Sequence, residues 1–257
     1  MFSFIRLLLL LAVSGSAAAQ SFSATYQPVP QIRDHELRQL QIDWRKHGLL
    51  ESLSEELSRK FTLNQPLRIA LGECGLSNAF YSRDERVIVI CLELIPDLVN
   101  RFSRLRGQHS DRPALLRAVS GALVFVVFHE LGHALIDVQQ LPVLGREEDA
   151  ADKISTFLIL QDPMLPDAVI EGALLFFYPK QLKLIPNFFS QRHLSDEHSL
   201  DPQRAVDLAC AAYGKDPQRY LWAAQAAKVT PQRAERCADE YAQLDRSVRS
   251  LLRGAMR

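Results

Sequence analysis

Every residue from Ala122 to Phe128 is apolar, and His129, Glu130, Leu131, Gly132 and His133 follow directly. A helical segment apolar all round has to be buried on every side. The helix it predicts starts at Asp111 as N-cap, carries Pro113 in its first turn, where a missing N–H costs nothing, and runs to about Val138. Pro142 and Gly145 mark the loop beyond it. Arg117, His129, Glu130 and His133 interrupt the run well before the roughly 20 residues a bilayer needs, so the expectation is a buried central helix and no stable membrane span in the mature chain.

Residues four apart on a helix share a face, so His129 and His133 can aim two imidazole nitrogens at one point. Glu130 projects about 100 degrees around the axis from His129, which sets its carboxylate beside a bound metal and in reach of a water there. Gly132 leaves room for another chain close to the helix. Burying two histidines and a glutamate without a partner would cost several kcal/mol, and a divalent metal resolves that cost. Imidazole and carboxylate ligands with one position left for water suit Zn2+.

A third ligand is sought in the acidic turn after the loop, Glu147, Glu148, Asp149 and Asp152. If Glu148 binds the metal, Asp152 lies one turn further along and can accept a hydrogen bond from the outer nitrogen of a ligand histidine. Glu147 is the other candidate ligand. Acidic residues also suit the first turn of any helix for reasons of its dipole.

Composition narrows the partners. The 257-residue chain has 30 Lys plus Arg against 30 Asp plus Glu, and no basic run interleaved with aromatics, so no nucleic-acid partner is expected. Arg6, the apolar stretch Leu7 to Val13 and the small residues Ala17, Ala18 and Ala19 read as a signal peptide over residues 1–19. That places the protein in the periplasm or secreted. The four cysteines, an even number, fit an oxidising compartment. Of three possible pairings, the favoured one joins Cys74 to Cys91 and Cys210 to Cys237.

After a polar lead through Pro30, residues 31–257 read as one continuous domain. Apolar positions at helical spacing, among them Ile32, Leu40, Trp44, Leu50, Leu53 and Leu57, predict a helix broken near Gly48. Leu67, Ile69 and Leu71 alternate with other residues, and Val87 to Leu92 is a β-branched apolar run, which predicts a small antiparallel sheet near residues 66–92. Further helices are expected to begin near Glu147, Asp167, Pro202, Pro217 and Pro231.

His129-Glu130-Leu131-Gly132-His133 followed by Glu148-Asp149-Ala150-Ala151-Asp152 resembles the gluzincin arrangement, and the E-x-x-A-D form is similar to the CAAX prenyl protease and HtpX-like metallopeptidases. The resemblance implies Glu148 as third metal ligand and Asp152 as its support. Members of that type also carry a His-Pro segment with an Arg six residues after the His. His198 and Arg204 reproduce the spacing with Ser199 in place of Pro, which implies a part for both near the metal, at a developing oxyanion or at the water position. From about residue 66 to 215 the chain resembles a bacterial family known by a metallopeptidase label alone, through Cys74-Gly75, Asn78 to Tyr81, Cys91, the segments FHELGHALID, LPVLGREEDAAD and DEHSLDPQR, and Cys210.

The fold these readings imply is α+β: a mostly helical, zincin-like domain with a small sheet and a central metal-binding helix. The implied activity is hydrolysis of a polypeptide substrate, with Glu130 taking a proton from water and passing it to the leaving amine. The segment Asn78 to Leu92 is expected to offer an edge strand to that substrate. Two other functions share the site: a non-catalytic periplasmic protein that binds metal or polypeptide, and a zinc amidase acting on cell-wall material. Oligomeric state is not legible.

Overall fold

The computed structural model describes residues 21–106, 111–177 and 199–257. The signal-peptide reading of residues 1–19 and the residue His198 lie outside them. The architecture is α+β, mostly helical with one small sheet, as the sequence predicts.

The polar lead holds a strand that periodicity missed, β1 (Phe22–Tyr26). Asp34 caps α1 (His35–Lys46) through its side chain, which accepts from the backbone N–H of Glu36 and Leu37. The predicted break falls at Gly48, whose left-handed φ of 61° lets the chain turn into α2 (Leu49–Lys60). Then come β2 (Leu67–Gly72), β3 (Ala79–Ser82) and β4 (Val87–Cys91).

The sheet order is β1-β2-β4-β3. It is mixed, which corrects the antiparallel expectation: β1 runs parallel to β2, β2 runs parallel to β4, and β3 alone is antiparallel, on the outer edge of β4. Alternation identifies strands without naming their partners. The disulfide Cys74–Cys91 carried the missing information. Cys91 ends β4 and Cys74 lies two residues past the end of β2, and a parallel pairing brings those two ends together; Gly72 faces Cys91 in the observed register. After β2 the chain steps past one strand position, lays β3 on the edge, and returns through Arg86, at φ 48°, into the slot beside β2.

The helix α3 (Leu94–Arg106), also unforeseen, leads to α4 (Arg112–Val138), which packs against α3, β3 and β4 and against α5 (Glu147–Gln161) and α6 (Pro166–Phe177). By length and composition α4 is apolar enough to cross a membrane. Here Phe125, Leu131, Ala134 and Leu135 are buried in the main core, beside Ile88 and Ile90 of the sheet. Gly121 and Gly172 let α4 and α6 touch backbone to backbone, since a Cβ on Gly121 would stand 1.9 Å from the Ala168 carbonyl oxygen.

The last three helices, α7 (Asp201–Lys215), α8 (Pro217–Ala226) and α9 (Pro231–Leu251), form a layer over α5 and α6. Their starts match the Pro and Asp signals in the sequence. Cys210–Cys237 ties α7 to α9 and closes 27 residues of chain, worth about 3.5 kcal/mol on a chain-entropy estimate. Both favoured pairings are present and no described cysteine is free. Two disulfides suit an oxidising, extracellular compartment. The C-terminus returns to α2, where Thr62 N–H donates to the Ala255 carbonyl and Arg257 N–H to that of Lys60.

Candidate metal centre

The spacing of four that starts at His129 continues through His133 to Asp137, so one stripe of α4 carries all three side chains. Opposite that stripe, α5 approaches closely because position 132 has no side chain. A Cβ on Gly132 would meet the Ala151 carbonyl oxygen at 2.8 Å and its Cα at 2.9 Å. Those are backbone atoms and cannot swing aside. The Gly132→Ala variant is therefore expected to push α5 away, at about 1–3 kcal/mol of stability, and to weaken metal binding with it. Denaturant unfolding and chelator competition measure the two effects. An unchanged metal affinity would mean that the close approach of α5 does not serve the site.

The approach brings Glu148 to the histidines. His129 Nε2 lies 3.0 Å from Glu148 Oε2, His133 Nε2 lies 3.3 Å from the same oxygen, and the two Nε2 atoms are 3.3 Å apart. The outer nitrogens are engaged elsewhere: His129 Nδ1 bonds Asp152 Oδ1 at 2.8 Å, and His133 Nδ1 bonds Glu147 Oε1 at 2.9 Å. Carboxylates only accept, so both protons sit on Nδ1 in the neutral rings and both Nε2 lone pairs face inward. Two lone pairs and a carboxylate oxygen aimed at one point repel each other until a cation sits between them. Tetrahedral ligation with bonds of about 2.0–2.1 Å has donor-to-donor edges of about 3.3–3.4 Å, close to the observed triangle. The three residues therefore fit a small divalent ion, and they form a metal-competent group among the described residues.

The electrostatics agree. Burial opposes charge on both rings, yet Asp152 and Glu148 outweigh it at His129, whose pKa is raised. At His133 the bonds to Glu148 and Glu147 prevail over burial and push it up to about 9. Positive charge is favoured at this point of the fold. Burial likewise raises Glu130, against the opposing pull of the two histidines and of the nearby Tyr81 backbone.

Glu148, rather than Glu147, reaches the two inward nitrogens. Neighbours on a helix diverge by about 100 degrees, so only one of the two can. Glu147 instead serves His133 from outside and is gripped by Arg83 Nη2, which donates to both its oxygens. Asp152 serves His129 in the same way. Arg204 holds Asp152 with a fork, Nε to Oδ2 at 2.7 Å and Nη2 to Oδ1 at 2.9 Å, while its guanidinium lies 4.6 Å from the centre of the Phe177 ring. Burial opposes charge on Asp152, but His129 and Arg204 together hold its pKa below the usual carboxylate range. Among the described contacts, Arg204 thus meets the centre through Asp152 and His129.

The centre opens into a cleft of about 660 Å³, with Ala79 to Tyr81 of β3 on one wall and Val126, His129, Glu130 and His133 on the floor. Cys91 N–H donates to the Asn78 carbonyl. Counting along the antiparallel register from that bond, the backbone groups of Phe80 and Ser82 face β4 and those of Ala79 and Tyr81 face outward. The Tyr81 hydroxyl donates to Asp137 Oδ2 at 2.7 Å and so fastens β3 to α4. Tyr81, Arg83 and Asp137 were not singled out as site residues from sequence. Asp137 could have been, as the next step of the 129–133 stripe; Tyr81 and Arg83 carry no local signal, because their partners are 56 and 64 residues away.

Residues 26–252 match the family model DUF4344, described as "Putative metallopeptidase". No curated protein and no solved structure matches the chain.

Proposed function

The chain belongs to that "Putative metallopeptidase" family, and on this premise we propose that it is a zinc-dependent peptidase of gluzincin type, exported to the periplasm or beyond the cell. The observation that carries the reading is the convergence of His129 Nε2, His133 Nε2 and Glu148 Oε2 within 3.3 Å of one another. His129, His133 and Glu148 would hold the metal. When bound, a zinc ion supplies Lewis acidity toward a carbonyl oxygen and lowers the pKa of water in its open position.

The rest of the chemistry belongs to the chain's own side chains. Glu130 is buried beside the ligand pair. Its side chain lines a cleft with room for substrate. There the carboxylate takes a proton from the attacking water and returns it to the amine nitrogen of the leaving peptide. Asp152 and Glu147 keep the ligand rings in the tautomer that turns Nε2 inward, and Arg204 keeps Asp152 ionised and aimed. An extended polypeptide laid along β3 could pair with the outward backbone groups of Ala79 and the Tyr81 carbonyl, with its scissile bond over Glu130. His198, by resemblance, would join the site from outside the described residues.

Export is supported by the two disulfides and by the signal-like residues 1–19. The test uses the purified chain without residues 1–19, oxidised, on a peptide library. Cleavage should require about one zinc per chain, stop on chelation and return on reloading. A zinc-loaded chain that cleaves no peptide but cuts cell-wall amides would shift the reaction to an amidase, and one that cleaves neither would leave a binding protein.

A further inference from the structure

Arg83 is the first residue after β3, and Glu147 is the first residue of α5, immediately before Glu148. The ion pair between them joins two segments that are 64 residues apart and that belong to different walls of the cleft. Glu147 is thereby shared. Its Oε1 accepts from His133 Nδ1 at 2.9 Å and from Arg83, and its Oε2 accepts from Arg83 as well. A carboxylate in the first turn of a helix can rotate about several side-chain bonds, so without a second anchor it would hold the imidazole loosely.

We propose that Arg83 is a positioning residue of the metal centre: gripping both oxygens of Glu147, it fixes the carboxylate that accepts the His133 proton and locks the end of β3 to the start of α5. This rests on the reading of His129, His133 and Glu148 as metal ligands. The pair mirrors Arg204 and Asp152 on the other histidine, so each ligand ring is held by a carboxylate that is itself held by an arginine. The two halves differ in exposure. The Arg204 side chain is 10 % exposed and that of Arg83 is 56 %. The Arg83 link is thus the more open of the two to solvent and to a substrate lying along β3. Asp137 and Tyr81 also act on its charge. A guanidinium at that place does two jobs at once: it neutralises the acidic start of α5 and ties the strand wall to the metal ligands.

The test is a double-mutant cycle on the oxidised chain, read by zinc affinity in competition with a chelator and by melting of the zinc-free protein. Arg83→Met and Glu147→Gln are each expected to weaken zinc binding about 10-fold, the lower end of the range for residues that orient ligands. The double variant should lose no more than the worse single one, because Arg83 acts through Glu147. Arg83→Lys should recover part of the affinity, because one nitrogen, Nη2, makes both contacts to Glu147 and an ammonium restores the charge there on a shorter side chain. The zinc-free variants should melt as the parent does, which separates positioning from a general structural role. Unchanged zinc affinity in Arg83→Met, with a higher KM for peptides, would overturn the proposal and make Arg83 a substrate contact. Fully additive losses would overturn it too. If the parent chain binds no zinc, the ligand assignment itself falls, and this proposal with it.

Discussion

Glu130→Gln is expected to lower kcat for peptide hydrolysis by about 10²–10⁴ while the chain still binds one zinc. The substitution keeps the size of the side chain and an acceptor oxygen, so the wall of the cleft has no reason to move. What it removes is the proton acceptor. The direction of the stability change follows from burial, which raises the Glu130 pKa in the folded chain. A carboxyl raised on folding contributes most stability when protonated, below its unfolded pKa, and loses that contribution as pH rises through its folded pKa. Ionising the buried carboxyl is therefore a cost that Gln does not carry, and the zinc-free variant should melt no lower than the parent. Rate measurements on a defined peptide, metal analysis and thermal melts check the three parts. Retained hydrolysis would remove Glu130 from the reaction; loss of zinc would show that it acts through the ligands.

Much of this centre is legible in the sequence because its key spacings are helical. His129 and His133 at a distance of four share a face in any helix, and the apolar run ahead of them compelled burial. Glu148 and Asp152 repeat the spacing on α5, and Gly132 marked where that helix could come close. The choice between Glu147 and Glu148 stayed open, because a sequence does not give the rotational phase of one helix against another. Sheet pairing was harder for the same reason. Val87 to Cys91 is plainly a strand, but its partners β2 and β3 are decided by chain crossings, and in the short strand β1 only Phe22 is fully buried. Of the residues that tie β3 to the helices of the site, Tyr81 sits inside the strand and Arg83 in the ordinary polar turn after it. Their roles come entirely from where α4 and α5 bring Asp137 and Glu147.

Glu148→Gln should separate the two acidic neighbours decisively. In the proposed centre Glu148 is the one anionic ligand, and its replacement leaves two neutral imidazoles and a weakly donating amide. Structural zinc sites gain about 10–16 kcal/mol from four ligands. One ligand's share is then about 2.5–4 kcal/mol, on the order of 10²–10³ in affinity, whereas Glu147→Gln keeps an acceptor oxygen for His133, loses the charge that holds Arg83 and should cost about 10-fold. The fold should tolerate both changes. Glu148 is partly buried among groups that favour positive charge, and the amide can still accept from either ring if one is protonated. Zinc competition titrations of the two variants side by side therefore measure a ratio. A ratio of ten or more in favour of retaining Glu148 assigns it as the ligand. Equal losses would mean that the two carboxylates exchange places on the metal, and a larger loss at Glu147 would reverse the assignment and, with it, the part given to Arg83.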